Sequence, residues 1–188
     1  MIEFLKPQII FIQDENGVKT TSPKVRLGNN FDGGYIIPEI AINKSVALFT
    51  YGVADDFSYE TDYNNKYKKP VYMFDHTIKQ DSWIKGDIHF FNEGLGFSSN
   101  CNDFIEHYKQ FDIKGEVLLK IDVEAAEFPY FDKVDIDKLS SLVTGLIMEI
   151  HFIHEPYRIR YAQTILEKIN KHFILTHIHG NNYNDCLI

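Results

Sequence analysis

The sequence predicts an α/β fold whose core is a doubly wound, mostly parallel sheet of seven strands. Short apolar segments of strand length alternate along the chain with segments whose apolar residues recur at helical spacing. This alternation favours right-handed crossovers between neighbouring parallel strands. In addition, nearly every predicted strand ends in polar residues, so one edge of the sheet should carry most of the chemically active side chains.

Residues 1–44 predict an N-terminal segment with one hairpin and then a second hairpin or a structured loop, and residues 45–188 predict the rest of one globular unit. The segment "IIFIQDENGVKT" turns at Asn16-Gly17, and "KVRLGNNFDGGYIIPE" has two apolar runs around a glycine-rich loop. The sheet strands are predicted at 45–51, 70–76, 87–93, 116–124, 142–152 and 173–179, with a seventh beginning at 183, and the helices at 57–67, from 104 and from 156.

Composition narrows the class of protein. The chain has 188 residues, 44% of them hydrophobic, which is sufficient for one domain with a substantial core. Its formal charge of −8 argues against nucleic-acid binding, which requires clustered lysine and arginine. No apolar run is long enough to span a membrane, and we expect no secretion signal. Cys101 and Cys186 are too few for a disulfide framework, so a cytoplasmic protein is expected.

Polar residues at the strand ends predict a ligand site there. A carboxylate at the end of the second strand is suited to hold a ribose diol, and a glycine after the first strand lets the backbone approach a ligand closely. No phosphate-binding glycine motif is present, and the aspartates after that glycine would repel a pyrophosphate. A ligand with a positive amine and a sulfonium, such as S-adenosylmethionine, would suit these charges. The candidate residues are Gly52, Asp55, Asp75, Glu93, Gly94, Asp122, Glu124, Glu149, His151 and His179.

Several segments together resemble the FkbM-like branch of class I S-adenosylmethionine-dependent methyltransferases. They are "YGVADDFSYE", "VYMFDHTI", "NEGLG", "LLKIDVEAAEF" and "IMEIHF". The resemblance covers residues 26–182, and "KIDVEAAE" is its most specific part because it is close to the K-[IL]-D-[VI]-E-G-x-E pattern of that family. It implies a Rossmann-like methyltransferase fold with seven strands. Ala54 and Ala125 depart from the family, which commonly has glycine at both positions.

The resemblance also implies roles for individual residues. Gly52 and Asp55 would border the methionine end of the cofactor, and Asp75 would hold its ribose. Residues 93–95 would lie near the adenine. Asp122 and Glu124 would lie beside the methyl group that is transferred.

A sugar or related polyol is the expected acceptor, and Asp122, His151 and His179 are the candidate bases for its hydroxyl. Glycan, capsule or secondary-metabolite tailoring is the process that the resemblance suggests. An alternative is that Asp122, Glu149 and His151, together with His179, bind a divalent metal, either in the transferase or in a metal-dependent hydrolase. A third interpretation is a cofactor-binding module without catalytic activity.

The C-terminal segment "YNDCLI" predicts an incomplete last strand. Folds of the class I methyltransferase type usually end with a long antiparallel strand inserted beside the sixth. Either the chain is truncated or another subunit completes the sheet. Because unpaired apolar edges favour association, a homodimer is expected.

Overall fold

The computed structural model describes residues 6–13, 16–30, 33–79, 84–151 and 156–180. Within these residues the chain forms short strands and helices that alternate after an all-β N-terminal part. In chain order they are β1 (Phe11–Gln13), β2 (Lys19–Thr21), β3 (Lys24–Leu27), β4 (Tyr35–Pro38), α1 (Glu39–Lys44), β5 (Leu48–Tyr51), α2 (Ser58–Tyr67), β6 (Val71–Phe74), β7 (Ile88–Phe91), β8 (Gly94–Leu95), β9 (Cys101–Asn102), α3 (Phe104–Gln110), β10 (Val117–Ile121), α4 (Glu127–Lys133), α5 (Ile136–Ser140), β11 (Val143–Met148) and α6 (Pro156–Ile169).

Five of the strands form a parallel sheet in the order β11-β10-β5-β6-β7, with helices against it. The chain begins the sheet at β5 in the middle and builds outward through β6 and β7. It then returns to the other side of β5 to add β10 and β11. This arrangement confirms the predicted α/β class and is Rossmann-like in general. The change of direction between β5 and β10 is the point where open parallel sheets bind ligands.

The register of the sheet brings three strand ends to the same level. Tyr51 lies opposite both Phe74 and Ile121 in the parallel ladders. These are the last residues of β5, β6 and β10, so the residues that follow them begin the same edge of the sheet.

Both faces of the central strands are covered, because side chains of a strand alternate between the two faces. On β10, Leu119 and Ile121 belong to the core between the sheet and α3, α4 and α6. Leu118 belongs to the opposite core, which includes residues of α1 and α2. Lys120 comes two residues after Leu118 and therefore lies on the same face of β10. It is a buried charge near the C-terminal end of this strand.

The longest described helix is α6, with 14 residues. Its buried residues Ala162, Ile165 and Ile169 recur at the spacing of one helix face. The sequence pattern predicts Ile165 and Ile169 on this face, but Ile159, which it also predicts there, is exposed. Among the described residues, no helix combines the length and the apolar character needed to cross a bilayer.

The N-terminal part forms two hairpins, β1–β2 and β3–β4, both antiparallel. The loop after β3 is attached to α2 by hydrogen bonds. The amide of Gly28 donates to Asp62 Oδ2 at 2.9 Å, and the amide of Asn29 donates to Ser58 Oγ at 2.8 Å. These contacts hold the second hairpin beside the edge of the sheet where β5 ends.

The predicted seven-stranded sheet is not confirmed. Residues 173–180 form no strand, so the prediction at 173–179 is wrong. Phe173 packs against the core, the carbonyl of Leu175 accepts from the Gln8 amide at 2.8 Å, and Lys24 Nζ donates to the carbonyl of Thr176. These bonds attach the segment to N-terminal residues, and among the described residues β11 pairs only with β10. The strand predicted from residue 183 lies outside the described residues, and the homodimer stays a prediction.

Candidate functional site

A cleft of about 240 Å³ opens where β5, β6 and β10 end. Its walls come from the residues that follow these strands and from the hairpin β3–β4, which contributes Gly33 and Tyr35. The residues predicted to hold the cofactor line this cleft, except for Glu93. Those that do are Gly52, Asp55, Asp75, Gly94, Leu95, Asp122 and Glu124.

Gly52 is required by the approach of a neighbouring strand. Its φ angle is +74°, in the left-handed region that favours glycine. A Cβ atom at this position would lie 1.6 Å from the carbonyl oxygen of Asp122. The turn therefore needs glycine for the packing of β5 against β10, and the same bare backbone faces the cleft.

The adjacent aspartates Asp55 and Asp56 have different environments. Asp56 Oδ1 accepts a hydrogen bond from the amide of Ser58 at 2.9 Å, at the start of α2. Its carboxylate also accepts from Asn29 Nδ2 at 3.2 Å. Burial would raise the pKa of Asp56, but these hydrogen bonds outweigh it and lower the pKa. Asp56 thus connects α2 to the N-terminal hairpin, and both aspartates are exposed where they line the cleft.

The carboxylate of Asp75 is buried and held by four protein donors. Oδ2 accepts from the amides of Val53 and Ala54, both at 3.1 Å. Oδ1 accepts from the amide of Thr77 at 2.8 Å and from its hydroxyl at 2.6 Å. Burial would raise the pKa of Asp75, but the hydrogen bonds outweigh it and lower the pKa. Asp75 therefore lies at the cleft as predicted, and it also holds the turn after β5 in place.

Asp122, Glu149 and His151 come together at the ends of β10 and β11. One ligand atom from each lies within 4.8 Å of the others. Tyr35 joins them from the N-terminal hairpin, because its hydroxyl donates to Asp122 Oδ2 at 2.7 Å and lies 3.3 Å from Glu149 Oε2. Burial, followed by the charge of Asp122, raises the pKa of Tyr35 well above its ordinary value. The phenol therefore stays a hydrogen-bond donor at every physiological pH.

His151 stands among four carboxylates. Its Nε2 is 3.3 Å from Asp122 Oδ1, and its Nδ1 is 3.3 Å from Glu127 Oε1. Glu127, at the start of α4, is 1% exposed and also accepts from the amide of His151 at 2.9 Å. Burial disfavours the charged imidazole, but Asp122 and Glu127 outweigh it and raise the pKa of His151 to about 10. At neutral pH the ring is therefore an imidazolium, which has no lone pair with which to accept a proton.

Glu93 points toward a buried histidine that the sequence interpretation did not use. His107, on α3, is completely buried, with Nε2 3.0 Å from Glu93 Oε2 and Nδ1 3.0 Å from the hydroxyl of Tyr51. Its ring also stacks on Phe74 with 4.1 Å between centroids. Burial lowers the pKa of His107. The neutral ring accepts from Tyr51 and donates to Glu93, which fixes the start of the segment that contains Gly94.

His179 is not brought to the group around Asp122. It is exposed, and its Nδ1 lies 3.1 Å from His177 Nε2, in the segment that follows α6. Three of the four predicted metal ligands thus meet, including the predicted base His151, while His179, the fourth predicted ligand and third candidate base, lies elsewhere.

Tyr35 and Lys120 line the cleft but received no role in the sequence interpretation, although Lys120 is the first residue of the "KIDVEAAE" motif. Tyr35 follows the glycine pair in "DGGY". Lys120 is two residues before Asp122, so the period of a strand places both on one face. That spacing is a signal by which Lys120 could have been found.

Negative charge dominates the cleft. The described residues that line it include five carboxylates and Lys120, but no other lysine or arginine. Comparison with protein-family models, curated proteins and solved structures gives no significant match. The function is therefore inferred from the motifs of the chain and from the geometry and charge of this cleft.

Proposed function

We propose that the protein is an S-adenosylmethionine-dependent methyltransferase that acts on a hydroxyl group of a sugar or related polyol. The observation that carries the proposal is the acidic cleft between β5 and β10, with five carboxylates and one lysine along its walls. An excess of carboxylates suits a ligand with a sulfonium and an ammonium group, and it disfavours the phosphates of a nucleotide. The motif resemblance described above points to the same cofactor.

The turn at Gly52 and the carboxylate of Asp75 fit this cofactor. The turn at Gly52 would border its methionine part, and Asp75 would hold its ribose. Of the four donors on Asp75, the Thr77 hydroxyl is the one that rotates, so a ribose hydroxyl would replace that bond. When bound, S-adenosylmethionine would supply an electrophilic methyl group, and holding the acceptor in line with it would provide much of the catalysis.

The group around Asp122 would orient the acceptor. Asp122 and Glu149 offer carboxylate oxygens to its hydroxyl groups, and Tyr35 stays a donor. His151, as an imidazolium, balances the negative charge of the carboxylates around it. The acceptor proton would therefore go to a carboxylate in this protonation state, with Asp122 nearest to the predicted position of the methyl group.

Calorimetry with S-adenosylhomocysteine and S-adenosylmethionine tests this function. We expect both to bind with dissociation constants near the micromolar range, about −8 kcal/mol. Asp122→Asn removes a negative charge that would stabilise the sulfonium, so it should weaken S-adenosylmethionine about tenfold more than S-adenosylhomocysteine, whose sulfur is neutral. Transfer of a labelled methyl group to a panel of sugars then tests turnover.

Glu106→Gln is the matched control for charge removal, because Glu106 lies on the exposed side of α3 and contacts Lys109. This variant should bind both compounds like the wild type. Absence of heat with either compound at about 1 mM, while the protein is folded, would contradict the proposal. Binding without transfer to any acceptor of the panel would favour a cofactor-binding module that lacks catalytic activity.

A metal-dependent hydrolase is the second candidate, and the meeting of Asp122, Glu149 and His151 within 4.8 Å favours it. Two carboxylates and one imidazole are a ligand set suited to a catalytic divalent ion, which would bind the His151 ring by displacing the proton that the surrounding carboxylates favour. Such an ion would lower the pKa of a bound water or sugar hydroxyl, so a metal is also compatible with a methyltransferase.

Titration with Mn²⁺, followed by calorimetry or electron paramagnetic resonance, tests the metal site. We expect one ion to bind, and Glu149→Gln to weaken it at least about tenfold because a ligand is lost. Glu124→Gln is the matched control: its carboxylate is 3.7 Å from His151, but its side chain is 77% exposed and is not one of the three grouped ligands. Equal weakening by the two substitutions, or no binding to the wild type, would exclude the site.

A further inference from the structure

Lys120 is a buried charge whose nearest ionic partner is also buried. Its side chain is 3% exposed, and Nζ lies 3.4 Å from Oε1 of Glu60, which is 0% exposed. Glu60 Oε1 also accepts from the hydroxyl of Thr50 at 2.7 Å, whereas Oε2 has no hydrogen-bond partner among the described residues. Lys120 is thus held in place from the α2 side of the sheet.

The ammonium group of Lys120 faces the cleft with unused donor capacity. An ammonium has three N–H donors. Among the described residues, its close contacts are Glu60 and the ring of Tyr35, whose centroid is 4.7 Å from Nζ, and its charge also helps to lower the pKa values of Asp56 and Asp122 at the cleft. Lys120 also lines the cleft, where the other ionised groups are mainly carboxylates.

Fold stability alone gives little reason to keep this ion pair. A buried pair loses its hydration, and apolar residues of similar size usually stabilise a core as well or better. Leu118, two residues earlier on the same face of β10, is such a residue. At Lys120 the strand reaches the cleft, where a poorly hydrated ammonium interacts strongly with a negative group of a ligand.

We propose that Lys120 binds a carboxylate of the ligand, and that this carboxylate is the α-carboxylate of the cofactor. The inference rests on the proposed methyltransferase function and assigns the orientation of the cofactor. Asp75 follows β6, and Lys120 is the last residue but one of β10. Because β5 lies between these two strands, the two residues are two strand spacings apart, roughly 10 Å. The nucleoside would lie on the β6 side, the sulfonium over the Gly52 turn, and the amino-acid part on the β10 side.

S-adenosylmethionine and decarboxylated S-adenosylmethionine provide a matched test, because they differ only in this carboxylate. For the wild type we expect S-adenosylmethionine to bind about 30-fold more tightly, as for a charge-assisted hydrogen bond in a poorly hydrated site. Lys120→Met should reduce the ratio to about threefold or less, with little effect on the decarboxylated compound.

Lys120→Met leaves Glu60 buried without its partner, which can prevent folding. The double variant Glu60→Gln/Lys120→Met removes both charges, and it should fold and show the same reduced ratio. Glu60→Gln alone keeps the ammonium and should keep the wild-type ratio. A double variant that restores the wild-type ratio would show that Lys120 serves only as a counter-ion and would overturn the inference.

Failure of the inference is distinct from failure of the proposed function. If neither compound binds the wild type, the methyltransferase function is wrong and the inference is overturned with it. If both bind the wild type equally, only the role of Lys120 is wrong. An unchanged ratio in Lys120→Met, together with weaker binding of D-glucuronate but not of D-glucose, would assign the ammonium to an acceptor carboxylate and overturn the cofactor assignment.

Discussion

Asp75→Asn should lower the free energy of unfolding by about 3 kcal/mol at neutral pH. The buried carboxylate accepts four hydrogen bonds, from Val53, Ala54 and twice from Thr77. An amide keeps one acceptor oxygen and turns an NH₂ group toward donors, so at least two buried donors lose their partner. Urea denaturation measures the loss, and calorimetry at low temperature should show that S-adenosylhomocysteine binding is lost as well.

The stability that Asp75 contributes should depend on pH. The hydrogen bonds hold the pKa of Asp75 below its usual 3.8, so the folded carboxylate binds a proton less readily than the unfolded one. Its contribution is complete above pH 4 and disappears as the pH falls through the lowered value. The stability of the Asp75→Asn variant should therefore fall less than that of the wild type as the pH drops below 4.

Thr77→Ala is the matched control, because it removes only the hydroxyl bond and should cost about 1 kcal/mol. An Asp75→Asn protein as stable as the wild type would show that the carboxylate does not hold the turn after β5. Normal nucleoside binding by that variant would separately refute the role of Asp75 in holding the ribose.

His107→Ala should lower the free energy of unfolding by about 3–5 kcal/mol. The completely buried ring stacks on Phe74 at 4.1 Å and bonds to Tyr51 and Glu93, so its removal creates a cavity and leaves a buried hydroxyl without a partner. Tyr51→Phe in the same protein should recover part of the loss, because it removes that hydroxyl. Chemical denaturation of the wild type, of His107→Ala and of the double variant measures both effects.

The pH dependence of this residue also has a defined sign. Burial lowers the pKa of His107 below 6.5, so below that pH the unfolded chain binds more protons than the folded one. Stability should therefore fall as the pH drops from 6.5 through the lowered value, and His107→Ala should show less of this fall. His89→Ala is the control: its side chain is 49% exposed beside Asp87, and its removal should change stability by about 0.5 kcal/mol or less. Equal effects at the two positions would contradict the structural role of His107.

Two positions where the chain differs from the methyltransferase motifs that it resembles have a backbone reason to favour glycine. Ala54 has a φ angle of +43° and Ala125 one of +77°, both in the left-handed region. A left-handed alanine costs roughly 1–2 kcal/mol, which glycine avoids. Ala54 lines the cleft, and Ala125 lies between Glu124 and Ala126, which also line it. The two differences therefore affect the backbone geometry of the site and not the order of the strands.

Much of the fold was predictable because its signals are local. The apolar segments around Leu48, Val71, Ile88, Val117 and Val143 all form strands of the parallel sheet, within a few residues of the predicted bounds. The helices α1, α4 and α5 were not predicted, since five to seven residues give too few turns for a clear period. Helix α3 is equally short, but the cap residues before Phe104 marked its start. The apolar segment at 173–179 has a strand pattern, but its backbone bonds to N-terminal residues instead of to β11.

The sequence by itself determined the α/β class, the strand ends and the carboxylates that stand there, because strand periodicity and chain order act over a few residues. Only the tertiary structure decided which of them meet. It joined Tyr35 to Asp122 across the chain, paired Glu60 with Lys120, and turned Glu93 toward His107. Such contacts depend on packing between segments far apart in the chain, and no local pattern encodes the direction of a side chain relative to a distant one.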